Sequence, residues 1–213
     1  MSIKGVLFDF DGVITKSMEL HYLAWQRVFD QFDKKIDKLE FYKIEGSGIH
    51  NVGRSFIEKF HIDTNLLPGL IEKKRKYYNE IDKFQVYSNL IPVLDFLKLK
   101  NILMAIVTGG SFKRVQNSVK NHLDGYFTSI ISPERVKQTK PSPEPYLKGA
   151  ESLNLSPDQC LVIENAPLGI RSGKAAGMEV IAVQTTLPKK YLQQADYIVD
   201  NFIQVKILLE ELI

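Results

Sequence analysis

The chain has 213 residues, with 28 Lys+Arg against 25 Asp+Glu and a formal charge of +3. At about 100–200 residues per domain, this length allows one domain or one domain with an insertion. Hydrophobic residues at 44% and charged residues at 25% are ordinary globular composition, and disordered, collagen-like and solenoid classes are excluded. No apolar run approaches the roughly 18 residues of a bilayer span, which points to a soluble protein with no membrane partner. The opening MSIKGVLFDF has a short apolar run and no small-residue cleavage site, so it reads as a buried strand rather than a signal peptide. A single cysteine, Cys160, excludes an intramolecular disulfide and a cysteine-based zinc site, and fits a reducing cytoplasm. The small charge excess gives no argument for a nucleic-acid partner.

Along the chain, short apolar runs alternate with longer helical patterns. Ile3–Phe8 opens as a strand. The stretch 18–83 then breaks the alternation: Met18–Phe32, Asn51–Phe60 and Leu66–Ile81 are helical patterns with no convincing strand among them. From there the alternation resumes, with helices at Asn89–Lys98, Phe112–His122, Pro143–Leu153 and Leu168–Ala176. Strands fall at Leu103–Val107, Ser129–Ile131, Cys160–Ile163, Val180–Val183 and Ile198–Val199. Most strands are continuously apolar, as strands buried on both faces are. The expected fold is therefore α/β: a Rossmann-like parallel sheet with helices on both faces and an inserted α-helical cap. The core is expected at 1–16 and 85–213 and the cap at 17–84, although one continuous α/β domain with irregular helices is the plainer alternative. In an open parallel sheet the ligand sits beyond the strand C-termini, where a helical block makes a natural lid.

Four segments near strand ends carry chemistry. Asp9-Phe10-Asp11-Gly12 sets two carboxylates at i and i+2, which repel unless a cation lies between them; a surface turn with two acids is the bland alternative. Thr108-Gly109-Gly110 offers a hydroxyl and backbone N–H groups able to hold a phosphoryl group, though a simple strand-to-helix turn reads the same. Lys140-Pro141-Ser142-Pro143 aims an ammonium from a proline-stiffened loop, against the usual solvated lysine. Glu164-Asn165 supplies hard oxygen ligands of the kind Mg²⁺ takes, or merely the acid and amide favoured near helix starts.

Together, DFDGV, VTGG, KPSPEPY and ENAPLGIRSGKAAGM resemble the four motifs of the haloacid dehalogenase-like superfamily of phosphatases and phosphomutases, over essentially the whole chain. The resemblance implies an Mg²⁺-dependent phosphohydrolase acting on a small phosphorylated metabolite or pyrophosphate. By that analogy Asp9 is the nucleophile and forms an aspartyl-phosphate, while Asp11 is general acid and base. Thr108 and Gly109, with Gly110 beside them, bind phosphoryl oxygens, and Lys140 neutralises charge. Asp9, Asp11, Glu164 and Asn165 are the implied metal ligands.

Asn165 stands where the family usually has Asp, so one negative charge is missing. Glu45, before Gly46 in the cap segment IEGSG, is a candidate to compensate. An acid there with Asn in the fourth motif resembles the inorganic-pyrophosphatase-like branch; a solvated loop carboxylate is the alternative. DGVITKSMELHYLAW resembles the β-phosphoglucomutase-like branch, which uses a His at the position of His21 to gate acid–base work; a hydrogen-bonded hinge residue is the alternative. In that branch a cap Arg would fall near Ile49 and a cap Lys near YNEIDKF, where no counterpart is apparent, and this argues for hydrolysis. A non-catalytic phosphate-binding module is a further alternative, opposed by the second acid and the helical insertion. Lys73-Lys74-Arg75-Lys76 reads as a solvated helix face, with electrostatic attraction of an anionic substrate as the alternative, Cys160 as a core residue rather than a nucleophile, and Phe8, Phe10, Trp25, Phe29 and Phe32 as packing. A closing cap is compatible with a monomer.

Overall fold

A computed structural model describes residues 2–213. Six strands form one all-parallel sheet: β1 (Gly5–Phe8), β2 (Leu103–Val107), β3 (Ser129–Ile131), β4 (Cys160–Glu164), β5 (Glu179–Val183) and β6 (Tyr197–Val199), in the order β3-β2-β1-β4-β5-β6. The period-two alternation of each strand divides its side chains between two cores. Val6, Phe8, Met104, Ile106, Leu161 and Ile163 face α5 (Leu90–Leu99), α6 (Phe112–His122) and α9 (Phe202–Leu212). Leu7, Ala105, Val107, Cys160 and Val162 face α7 (Glu144–Ser152) and α8 (Pro167–Ala175). This is the Rossmann-like α/β fold expected, and the strand order reverses beside β1, where such sheets bind ligands.

Between β1 and β2 lie α1 (Met18–Phe29), α2 (Lys38–Ile44), α3 (Ile49–Lys59) and α4 (Leu67–Ile81). They have their own apolar centre, built on Trp25, Phe29, Phe41, Phe56, Ile57 and Ile71. The two crossings to this helical block run side by side: Lys16 N–H donates to the Gln85 carbonyl at 2.8 Å and Thr15 bridges Val86.

Two helices have no counterpart among the sequence expectations. At α2 only seven residues are helical, and KLEFYKI carries too short an apolar stripe to show a 3.6-residue period; Asp37 starts it by accepting from the Glu40 N–H at 2.7 Å. At α9, Asn201 accepts from the N–H groups of Ile203 and Gln204, and Phe202, Val205 and Leu209 close the core. The long pattern at Met18–Phe32 divides, since Asp30–Phe32 tightens into a 3₁₀ turn ending on Asp33 at φ 53°. No helix among the described residues is long and apolar enough to cross a membrane.

Candidate active site

The C-terminal ends of β1, β2 and β4 converge, and the carboxylates of Asp9, Asp11 and Glu164 are buried there together with Lys140. Lys140 is the electrostatic centre. Its Nζ donates to Asp9 Oδ1 at 2.7 Å, Glu164 Oε1 at 2.7 Å and the Val107 carbonyl at 3.0 Å, so all three protons are used. Burial alone would lower the Lys140 pKa, but Asp9 and Glu164 outweigh it and raise it. Glu164 is locked further by Tyr146 Oη at 2.9 Å and by the N–H groups of Asn165 and Ala166. For Asp9, burial dominates and pushes the carboxyl up to about 8, with Lys140 pulling against it and Glu164 adding to it. A nucleophilic carboxylate at this position therefore calls for a further cation beside Lys140.

Asp11, two residues on, has entirely different partners. Ser17 Oγ and His21 Nε2 reach its Oδ1 at 2.5 and 3.1 Å, and Arg114 brackets it, with Nη1 3.0 Å from Oδ1 and Nη2 on Oδ2. Burial would raise the Asp11 pKa, but the Arg114 guanidinium and His21 hold it well below the usual carboxylate range. On its other side His21 Nδ1 lies 2.7 Å from Lys74 Nζ, and its ring stacks on Tyr78 at 4.2 Å. Burial, reinforced by the Lys74 ammonium, pushes the imidazole down to about 3. The neutral ring with its proton on Nε2 then donates to Asp11 and accepts from Lys74.

The cap loop closes onto this centre. Gly46 (φ 90°) packs so tightly against the β2 loop that a Cβ on Gly109 would stand 2.6 Å from the Gly46 carbonyl oxygen. Thr139 Oγ donates to the Ser47 carbonyl at 2.9 Å, tying the cap to the Lys140 loop. Gly12, at φ 90°, has its missing side chain replaced by the Asn165 carboxamide, so only glycine fits there. A small cleft of about 10 Å³ remains, room for one small ion or water, and Asp9, Asp11, Glu45, Gly46, Gly109, Glu164 and Asn165 line it. Glu45 Oε2 and Asn165 Oδ1 are both buried without a hydrogen-bond partner. Burial pushes the Glu45 carboxyl up to about 7, partly countered by Lys74. The orphaned oxygens of Glu45 and Asn165, with Asp9, Asp11 and Glu164 lining the same ion-sized space, are a donor set that suits a hard divalent cation. No group of three or more His, Cys, Asp or Glu side chains among the described residues stands ready at ligating geometry; the set here mixes carboxylates with a carboxamide.

The catalytic, binding and metal-ligand candidates from the sequence lie at this edge, His21 and Gly110 lining a larger cavity of about 480 Å³ next door. Two expectations need correction. The Gly110 N–H is not open to an anion, because it donates to Thr108 Oγ1 at 2.9 Å; the Thr108 hydroxyl proton is left to donate. Lys74 is not on a solvated face but buried, because Leu70, Ile71, Lys74 and Tyr78 share the inward stripe of α4. A cap lysine therefore does reach the site, one turn before YNEIDKF, whereas Ile49 offers the cavity no charge. Arg114, Tyr146 and Ser17 were not singled out from the sequence. Tyr146 sits within KPSPEPY, while Arg114 carries no local signal beyond its place in the first turn after Thr-Gly-Gly.

The sequence matches the family model "Haloacid dehalogenase-like hydrolase" over residues 6–183. It is 30% identical to a protein provisionally named pyrophosphatase PpaX from Clostridium perfringens, over 99% of both chains. It is 28% identical to hexitol phosphatase A of Escherichia coli, covering 97% of this chain and 95% of that one. The solved β-phosphoglucomutase from Clostridium difficile superposes with a TM-score of 0.85 at 26% identity, covering 98% of this chain and 96% of that one. Motifs, fold and site geometry agree with these similarities: the chain belongs to the haloacid dehalogenase-like hydrolases and is an enzyme of their phosphatase group.

Proposed function

We propose that the protein is an Mg²⁺-dependent phosphohydrolase that cleaves a small phosphorylated metabolite, or pyrophosphate, through an aspartyl-phosphate on Asp9. The observation that carries this reading is the ion-sized cleft lined by Asp9, Asp11, Glu45 and Asn165, where Glu45 and Asn165 each keep a buried oxygen without a partner and Lys140 is bonded to Asp9. Asp9, Asn165, the Asp11 backbone carbonyl and Glu45 or Glu164 would hold the ion, which when bound neutralises charge between nucleophile and phosphate.

Asp9 Oδ attacks phosphorus while the ester oxygen departs; Asp11, a carboxylate in the free site, takes up a proton from solvent or the phosphate monoanion as substrate enters and passes it to that oxygen. Water then attacks the acyl-phosphate, gives its proton to Asp11 and releases phosphate, which regenerates the Asp9 carboxylate. Lys140 offsets the approach of the two anions, and the Thr108 hydroxyl donates to a phosphoryl oxygen. Glu164 fixes Lys140 and Tyr146 fixes Glu164, which keeps the ammonium in place. The helical block 17–84 acts as a cap hinged at the paired crossings 15–16 and 85–86, with residues 1–16 and 85–213 as the core.

A phosphate-release screen over sugar phosphates, phosphoglycolate, nucleotides and pyrophosphate tests the reading: it expects Mg²⁺-dependent release that Asp9→Asn abolishes. Release surviving Asp9→Asn would overturn it. The buried Lys74–His21 contact favours a second reading, β-phosphoglucomutase-type transfer, since a cap cation is present after all. β-Glucose 1-phosphate with a bisphosphate primer separates the two: free phosphate supports the hydrolase, and glucose 6-phosphate without free phosphate supports the mutase.

A further inference from the structure

The Asn165 side chain is buried, and its two ends have different surroundings. Oδ1 has no hydrogen-bond partner, and the residue lines the ion-sized cleft. Nδ2 donates to Thr186 Oγ1 at 2.9 Å, in the loop after β5, and fills the space where a Gly12 Cβ would stand. The Thr186 hydroxyl has an acceptor for its own proton, the Asn165 backbone carbonyl at 3.5 Å, so its oxygen can offer Nδ2 a lone pair. Next to it, Thr185 Oγ1 donates to the Gly12 carbonyl at 2.6 Å, which seats the loop that carries Asp11 against the same strand end. Orientation matters at Asn165 because a carboxamide is not symmetric. A carboxylate presents an oxygen whichever way it turns, whereas a carboxamide turned round would set an NH₂ group against a cation.

We propose that Thr186 is a positioning residue for the metal site: by accepting from Nδ2 it holds the Asn165 amide with Oδ1 free for the divalent cation. The threonine supplies the orientation that an aspartate at the same place would not need. Gly12 closes the arrangement from the other side, since a side chain there would displace the amide. Thr186 acts through Asn165 alone, as an outer partner that orients a metal ligand. This proposal rests on the cation site given above and deepens it by naming what orients one of its ligands.

Binding of Mn²⁺ alone to the full chain tests it, with free Mn²⁺ followed by electron paramagnetic resonance and no substrate present. Thr186→Val keeps the branched shape and removes the acceptor, and should weaken Mn²⁺ binding about 10-fold. In the Asn165→Asp background the same change should alter Kd by less than about 3-fold, because either carboxylate oxygen can face the ion. Thr186→Ser keeps the hydroxyl and should stay within about 3-fold of wild type. Comparing the two backgrounds separates orientation from scaffolding, since a loss caused by loosened packing would follow Thr186→Val into both. Equal losses in the two backgrounds, no loss with Asn165 in place, or a Thr186→Ser variant as weak as Thr186→Val would each overturn the proposal and leave the hydrolase reading intact. If wild type binds no Mn²⁺, the cation site and the proposal fall together.

Discussion

Gly169 lies in the first turn of α8, and Glu164 occupies the space a side chain there would need. A Cβ on Gly169 would coincide with Glu164 Oε1 and the carboxyl carbon, and even Oε2 would be only 2.6 Å away. Gly169→Ala must therefore expel the carboxylate from its pocket. Oε1 then leaves Lys140 Nζ and Tyr146 Oη, and Oε2 leaves the Asn165 and Ala166 N–H groups. Breaking a buried charge pair with its hydrogen bonds costs about 3–5 kcal/mol. In a chain of this size that lowers Tm by roughly 6–20 °C, read by thermal unfolding under circular dichroism. Activity should fall with it, because Lys140 loses one of its two carboxylate anchors. Gly69→Ala is the control: nothing stands within 4 Å of its Cβ position on α4, so the same change should stabilise by about 0.5–1 kcal/mol. If Gly169→Ala melted within 2 °C (about the error of 1 kcal/mol) of wild type, Glu164 would not be the anchor described.

Other consequences concern charge. Lys140→Met leaves Asp9 and Glu164 facing each other without a counter-charge and should cost about 3–5 kcal/mol in urea unfolding; an unchanged midpoint contradicts the central role of Lys140. His21, pushed down to about 3 by burial and Lys74, lies below its unfolded value of about 6.5. Its contribution to stability is therefore complete above about pH 6.5 and drains as pH falls toward 3. By NMR its imidazole resonances should stay constant from pH 8 to 5, and a midpoint near 6.5 would refute the neutral ring. Glu45→Ala should cut pyrophosphate turnover about 10-fold or more beyond its effect on an aryl phosphate; equal losses would remove pyrophosphate as the preferred substrate.

Much of this architecture was legible because its signals are local. The apolar runs of β1, β2 and β4 end directly on Asp9, Thr108 and Glu164, so the sheet and the acids at its edge follow from pattern alone. Lys74 was misread because a run of four basic residues suggests solvent, while the stripe Leu70, Ile71, Lys74, Tyr78 that buries it shows only against the helical period. Arg114 was invisible for a different reason. It acts through a residue 103 positions away, and nothing around it in sequence distinguishes it from any other helical arginine. The tightness of Gly109 against Gly46, likewise, exists only once cap and core meet.

The central claim is that Asp9 itself takes the phosphoryl group. Its most direct test is an acid-quenched single turnover with the best substrate from the phosphate-release screen, labelled in its phosphorus. Wild type should carry label transiently as a base-labile acyl-phosphate on the peptide containing Asp9; Asp11→Asn should accumulate it, and Asp9→Asn should carry none and release no phosphate. Phosphate release by Asp9→Asn at the wild-type rate, with no label on the protein, would contradict the account.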